Sequence, residues 1–190
     1  MICPLLLSAT TLDNEVEPLL NATDGKATPF SYGAGHVQPN RAMDPGLVYD
    51  TTIDDYLNFL CALGYNATQI SVFTEGPYQC RKKFSLLNLN YPSITVPKLS
   101  GSVTVTRRLK NVGSPGTYIA HVQNPHGITI SVKPSILKFK NVGEEKSFKV
   151  TFKAMQGKAT NNYVFGKLIW SDGKHYVTSP IVVKALLTRN

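Results

Sequence analysis

Ser102-Val103-Thr104-Val105-Thr106-Arg107-Arg108-Leu109 decides the fold, because its apolar and polar residues largely take turns. A period of two sends alternate side chains to opposite faces of an extended chain, the mark of a strand with one face buried. The texture recurs downstream. Residues 94–96, 117–122, 128–132, 136–139, 146–152, 163–170 and 176–183 all alternate or form brief apolar runs. Between them stand Gly113-Ser114-Pro115-Gly116, Asn124-Pro125-His126-Gly127, Asn141-Val142-Gly143 and Ser171-Asp172-Gly173, whose chemistry suits turns.

Seven or eight short strands with polar, lysine-rich outer sides predict a mainly β fold, an immunoglobulin-like or fibronectin-type-III-like antiparallel β-sandwich over residues 87–190. That half holds no cysteine, so the antibody-type bridge between sheets is absent. Residues 1–86 read differently. Residues 8–30, punctuated by Asn14, Pro18, Gly25 and Pro29, read as an exposed connection. Residues 30–37 set small residues beside aromatics, as tight backbone packing requires. Asp44-Pro45-Gly46 suits a type II turn, and Leu47-Val48-Tyr49 a short buried strand. Thr52 followed by Asp55 marks a helix start, with Tyr56, Leu57, Leu60 and Cys61 on one face and Gly64 as the stop. Thr68 to Phe73 reads as a second short helix.

Among 190 residues, 42% are hydrophobic, enough to bury a core, and no apolar run approaches the roughly 18 residues of a membrane-spanning helix. The net charge of +8 hides an asymmetry: residues 1–86 carry −4 and residues 87–190 carry +12. A basic half attracts an anionic partner over long range, although a solvated surface is the plainer alternative. Nucleic acid is disfavoured as that partner, because the aromatics alternate inward and the lysines are dispersed.

Of Cys3, Cys61 and Cys80, one bridge and one spare thiol is the natural arithmetic, and no zinc-type C-x-x-C pairing occurs. A bridge from Cys61 to Cys80 would clamp both helices and contribute about 3 kcal/mol in an oxidising compartment. Two free buried thiols are the alternative. Asn21-Ala22-Thr23 and Asn66-Ala67-Thr68 are glycosylation sequons, usable only in a secretory compartment. The first nine residues lack the basic start of a signal peptide, so an extracellular protein would take its address from elsewhere.

The segment 30–50, Phe-Ser-Tyr-Gly-Ala-Gly-His-Val-Gln-Pro-Asn-Arg-Ala-Met-Asp-Pro-Gly-Leu-Val-Tyr-Asp, closely resembles the end of the catalytic domain in plant subtilisin-like serine proteases. The resemblance continues through Asp55-Tyr56-Leu57-Asn58-Phe59-Leu60-Cys61, Leu89-Asn90-Tyr91-Pro92-Ser93-Ile94, residues 106–113, Leu168-Ile169-Trp170-Ser171-Asp172-Gly173 and Ser179-Pro180-Ile181. It implies a secreted, glycosylated endopeptidase with a subtilisin-like α/β catalytic domain and a carboxy-terminal fibronectin-type-III-like domain. Residues 1–86 would then be a catalytic-domain remnant and residues 87–190 the sandwich, docking on and stabilising the protease domain. The family's serine lies in a Gly-Thr-Ser-Met motif, and no Gly-Thr-Ser occurs in this sequence.

No substitute triad is legible. A serine nucleophile needs a histidine base, a carboxylate to orient it and donors for the oxyanion. His36 reads as a packing residue, His121 and His126 flank a turn without a third metal ligand, and His175 reads as a turn contact of Asp172. No catalytic residue, cofactor or metal is therefore expected, and the partners expected are the catalytic domain and an anionic wall polysaccharide, with neither nucleic acid nor membrane. A free-standing extracellular binding or regulatory module is the alternative. An active-site serine probe is expected to leave the purified chain unlabelled; stoichiometric labelling would overturn the reading.

Overall fold

The computed structural model describes residues 2–81, 84–158 and 162–186. Strands form at every place where the period of two predicts them: β2 Ile94–Leu99, β3 Ser102–Asn111, β4 Gly116–Gln123, β5 Ile128–Lys133, β6 Ile136–Phe139, β7 Glu145–Ala154, β8 Val164–Ser171 and β9 Tyr176–Ala185. A further strand, β1 Leu47–Val48, comes from the upstream half. They stack as two sheets, in the orders β1-β3-β7-β5 and β2-β9-β8-β4-β6. This is a β-sandwich of the kind the alternation predicts, preceded by a partly helical segment.

Inward residues of both sheets fill the space between them. Trp170, Phe148, Phe152, Leu109 and Val150 are all buried, and Phe148 meets Trp170 edge to face at 5.1 Å. Pairing is antiparallel except between β2 and β9, where Ile94 lies beside Ile181 in parallel register. Alternation reports which face is buried and is blind to strand direction, so this exception was not legible. A parallel pair needs a long crossover, and strands β3 to β8 supply it. As an edge strand, β2 tolerates Pro97.

β1 pairs with only the end of β3, Leu47 with Asn111 and Val48 with Lys110. Two asparagine side chains complete that edge: the Thr106 amide donates to Asn88 Oδ1 and the Arg108 amide to Asn90 Oδ1. Between these two amides, Arg107 turns inward and is only 4% exposed. Its guanidinium donates to the Leu87 carbonyl at 2.6 Å, the Thr106 carbonyl at 2.9 Å and the Tyr91 carbonyl at 3.3 Å. Burial lowers its pKa to about 10, and it stays protonated at neutral pH.

The upstream half is less of a connection than its composition predicts. Isolated bridges Thr10–His36, Leu12–Pro18 and Leu20–Lys26 fold residues 10–36 into a tight meander, in which a Cβ on Gly35 would collide with the Thr10 carbonyl. Short helices α1 Ile2–Leu7, α2 Pro29–Tyr32 and α3 Pro39–Met43 flank it. The side chain of Cys3 lies outside the described residues. Helix α4, Ile53–Ala62, starts at a capping box in which Thr52 and Asp55 satisfy each other's amides. Its buried face holds Leu57 and Asn58, whereas Tyr56 is 50% exposed. The departure has a cause: Cys61 is bonded to Cys80, and the loop so closed brings the Arg81 amide to Asn58 Oδ1. Helix α5, Ala67–Ile70, begins at an Asn66 cap and tightens into a 3₁₀ turn over Ser71–Phe73.

Arg107→Met removes donors from three carbonyls and is expected to lower stability by about 2–4 kcal/mol in urea unfolding. Arg108→Met, on the outer face, should cost under about 1 kcal/mol.

Candidate functional site

The chemistry-bearing side chains converge along the seam between the upstream segment and the sandwich. Its first part follows from the Asp44-Pro45-Gly46 turn. Gly46 takes φ 72°, and the Leu47 amide donates to the Pro45 carbonyl, so the bond closes across the glycine rather than over the four residues of a type II turn. A Cβ on Gly46 would strike the Tyr118 hydroxyl and the His175 ring, so only glycine lets this backbone touch the sandwich. The Val112 and Gly113 amides donate to the Gly46 carbonyl at 2.9 and 3.1 Å, and the chain then passes into β1.

Above this turn sits His175, whose side chain is 10% exposed. Nδ1 lies 2.8 Å from Asp172 Oδ2 and Nε2 lies 3.1 Å from Asp44 Oδ2. One carboxylate belongs to the sandwich and the other to the upstream turn. Lys174 Nζ reaches the same Asp44 oxygen at 3.2 Å, and the Tyr118 hydroxyl stands 3.4 Å from His175 Nδ1. Burial opposes the imidazolium, yet hydrogen bonds and charge from Asp172 and Asp44 outweigh it and raise the pKa of His175. Burial also opposes ionisation of Asp172, but amide and imidazole donors bring it down to about 2. His175, then Lys174, hold the Asp44 carboxyl low.

Further along the seam, Arg108 reaches Asp55 at 3.3 Å and Glu145 at 3.0 Å, while Lys110 meets Asp50 at 2.7 Å. Tyr49 packs into the core, its hydroxyl 2.8 Å from Ser179 Oγ, and Thr51 donates to the Asn90 carbonyl at 2.6 Å. On the opposite side Phe30 meets Tyr163 and Phe165 edge to face, which lays the meander over the outer face of β8. A groove of about 580 Å³ opens there, lined by Leu12, Tyr32, Tyr163, Phe165 and Pro180 among others.

Nothing in this geometry activates a nucleophile. The two ring nitrogens of His175 each face a carboxylate, and the hydroxyl beside it is Tyr118, whose pKa burial and then Asp172 push well above the ordinary phenol value. His36 is held through its backbone to Thr10, and His121 and His126 are exposed. Among the described residues no cluster of three His, Cys, Asp or Glu has metal-site geometry, and no helix is long and apolar enough to cross a membrane.

Residues 88–183 match the protein family described as the fibronectin type-III domain. The chain is a member of that family. Its sequence relatives place the fibronectin type-III domain in a particular setting. Over 95% of its length the chain is 58% identical to Subtilisin-like protease SBT5.3 of Arabidopsis thaliana, across 24% of that protein. It is 52% identical to Subtilisin-like protease SBT5.4 of the same plant and 46% identical to Subtilisin-like protease Glyma18g48580 of Glycine max, each across 23% of the relative. The chain thus spans about a quarter of the length of the curated relatives it matches, and that quarter is their carboxy-terminal part. It corresponds to the non-catalytic end of larger subtilisin-like proteases, with the triad outside it.

Of the residues singled out from sequence, the fold around the fibronectin type-III domain joins Cys61 to Cys80, with Cα atoms 5.8 Å apart. Asn21 and Asn66 are exposed, each at a turn that uses its side-chain oxygen as acceptor. Arg107, Asp44 and the second contact of His175 were missed. Arg107 could have been found, since it falls on the inward side of the alternation between Val105 and Leu109. Asp44 and His175 lie too far apart in sequence for any local pattern to link them.

The raised pKa of His175 fixes the sign of a pH effect. Its contribution is fully present below the unfolded value of about 6.5 and is lost as pH rises through the folded value. The lowered carboxyls act oppositely, contributing above about pH 4 and failing as pH falls through their folded values. The seam should be firmest between those limits. His175→Gln is expected to lower the urea midpoint most near pH 5.5 and least near pH 9, as fluorescence-monitored unfolding would register; a pH-independent difference would contradict it.

Proposed function

We propose that this chain is the non-catalytic carboxy-terminal part of a secreted subtilisin-like serine endopeptidase, in which it docks on the upstream catalytic domain and stabilises it. The parent hydrolyses peptide bonds; this part contributes hold and placement. On this reading residues 1–86 are the last piece of the catalytic domain and residues 87–190 the accessory sandwich. The observation that carries the proposal is exposed apolar surface on the upstream segment. Met43 is 85% exposed, Val72 80%, Ile53 74%, Val16 72% and Val37 56%, although the segment lies close against a well-packed sandwich. Exposed apolar side chains in such numbers on one segment support a reading in which another body covers part of it.

The disulfide agrees with an oxidising, extracellular setting. Asn21 and Asn66 would carry glycans there: in both turns the side-chain oxygen does the accepting, and the amide nitrogen, which takes the sugar, remains to be modified. The net charge of +12 over residues 87–190 supports retention of the protease in an acidic matrix through anionic polysaccharide.

The test is complementation in trans. The catalytic portion of SBT5.3 lacking the matched quarter is expected to bind this chain and gain in melting temperature, and Met43→Glu with Val72→Glu should weaken that binding at least about tenfold. A chain that stays monodisperse alone and leaves the catalytic portion unaffected would favour a free-standing module instead.

A further inference from the structure

On the outer face of the four-stranded sheet, strand register sets the cations of β5 and β7 among hydroxyls. Lys153 stands between Ser102 and Thr129, and Lys149 between Thr106 and Lys133. The row between them is hydroxyl alone, with Thr104 and Thr151 bonded at 2.9 Å beside Ser131. Lys133 and Lys149 are direct cross-strand partners, and like charges so placed repel.

The repulsion is left unanswered. Arg108 and Lys110 on the same face are met by Asp55, Glu145 and Asp50, but among the described residues no carboxylate pairs with Lys133, Lys149 or Lys153. Lysine on an edge strand guards against stray pairing, which accounts for Lys133 on β5. It does not account for Lys149 and Lys153, because β7 is an inner strand.

We propose that this face binds a uronic-acid polysaccharide. Its carboxylates take the places beside Lys149 with Lys133, and beside Lys153 about 13 Å away along β7, and its hydroxyls meet the Ser/Thr row. The proposal rests on the matrix reading above and localises it. Serine and threonine hydroxyls both donate and accept, as sugar hydroxyls require. None of the residues in these rows is aromatic, so the stacking platform of a single-strand nucleic-acid site is missing.

The experiment measures retention of the whole chain on immobilised polygalacturonate at low salt, with uncharged galactan and oligo-dT as comparison supports. Lys133→Gln, Lys149→Gln and Lys153→Gln combined are expected to weaken retention about tenfold and flatten its salt dependence. Lys138→Gln, Lys167→Gln and Lys184→Gln combined remove the same charge elsewhere and should change it under about threefold. Lys149→Gln alone, about threefold weaker, keeps the test open if the triple variant does not fold. Equal weakening by the two triples overturns the face while leaving matrix binding intact. An unsubstituted chain that passes through polygalacturonate unretained overturns the matrix reading and the face together, and oligo-dT held as tightly as polygalacturonate overturns the choice of sugar.

Discussion

A buried guanidinium with no carboxylate partner among the described residues organises the edge where residues 87–91 meet β3. Arg107 brings a full positive charge between the sheets with carbonyl oxygens, rather than a carboxylate, as its acceptors. Desolvating an ion is costly, and the cost is offset only when its donors are well used. Here they gather the carbonyls of residues 87, 91 and 106, which fastens residues 87–91, the linker into the sandwich, to β3. With the linker fixed, Asn88 and Asn90 can finish the edge of β3, and β1 can continue it.

That edge is where the two halves of the chain become one body. Leu7, Leu47 and Tyr49 belong to the same buried cluster as Phe148 and Trp170, so the upstream segment helps to close the sandwich core. Gly46 permits the contact, His175 bridges two carboxylates across it, and Arg108 and Lys110 complete it with ion pairs. A seam with shared core and polar bonds resists separation, since parting it would expose apolar surface and strand buried polar groups together.

Charge is distributed to match. The acidic upstream half meets the basic half at the seam, where several carboxylates are consumed in pairing. Lys149 and Lys153 stand on the outer face of open sheet rather than at a neutralised junction.

The sandwich was legible because burial of one face of a strand writes itself into neighbouring residues: alternation around Ser102 to Leu109 and its repeats placed the strands of residues 94–185. The Thr52 and Asp55 capping box was legible for the same reason, being complete within four residues. The sequence by itself determined those local matters, and it holds no Gly-Thr-Ser motif. Only the tertiary structure decided that Asn58 is buried instead of Tyr56, that β2 lies parallel to β9, and that Asp44 meets His175. Each depends on which segments arrive together from outside the local pattern, 23 residues away for Asn58 and Arg81 and 131 for Asp44 and His175, and such contacts leave no periodicity in the chain to be read.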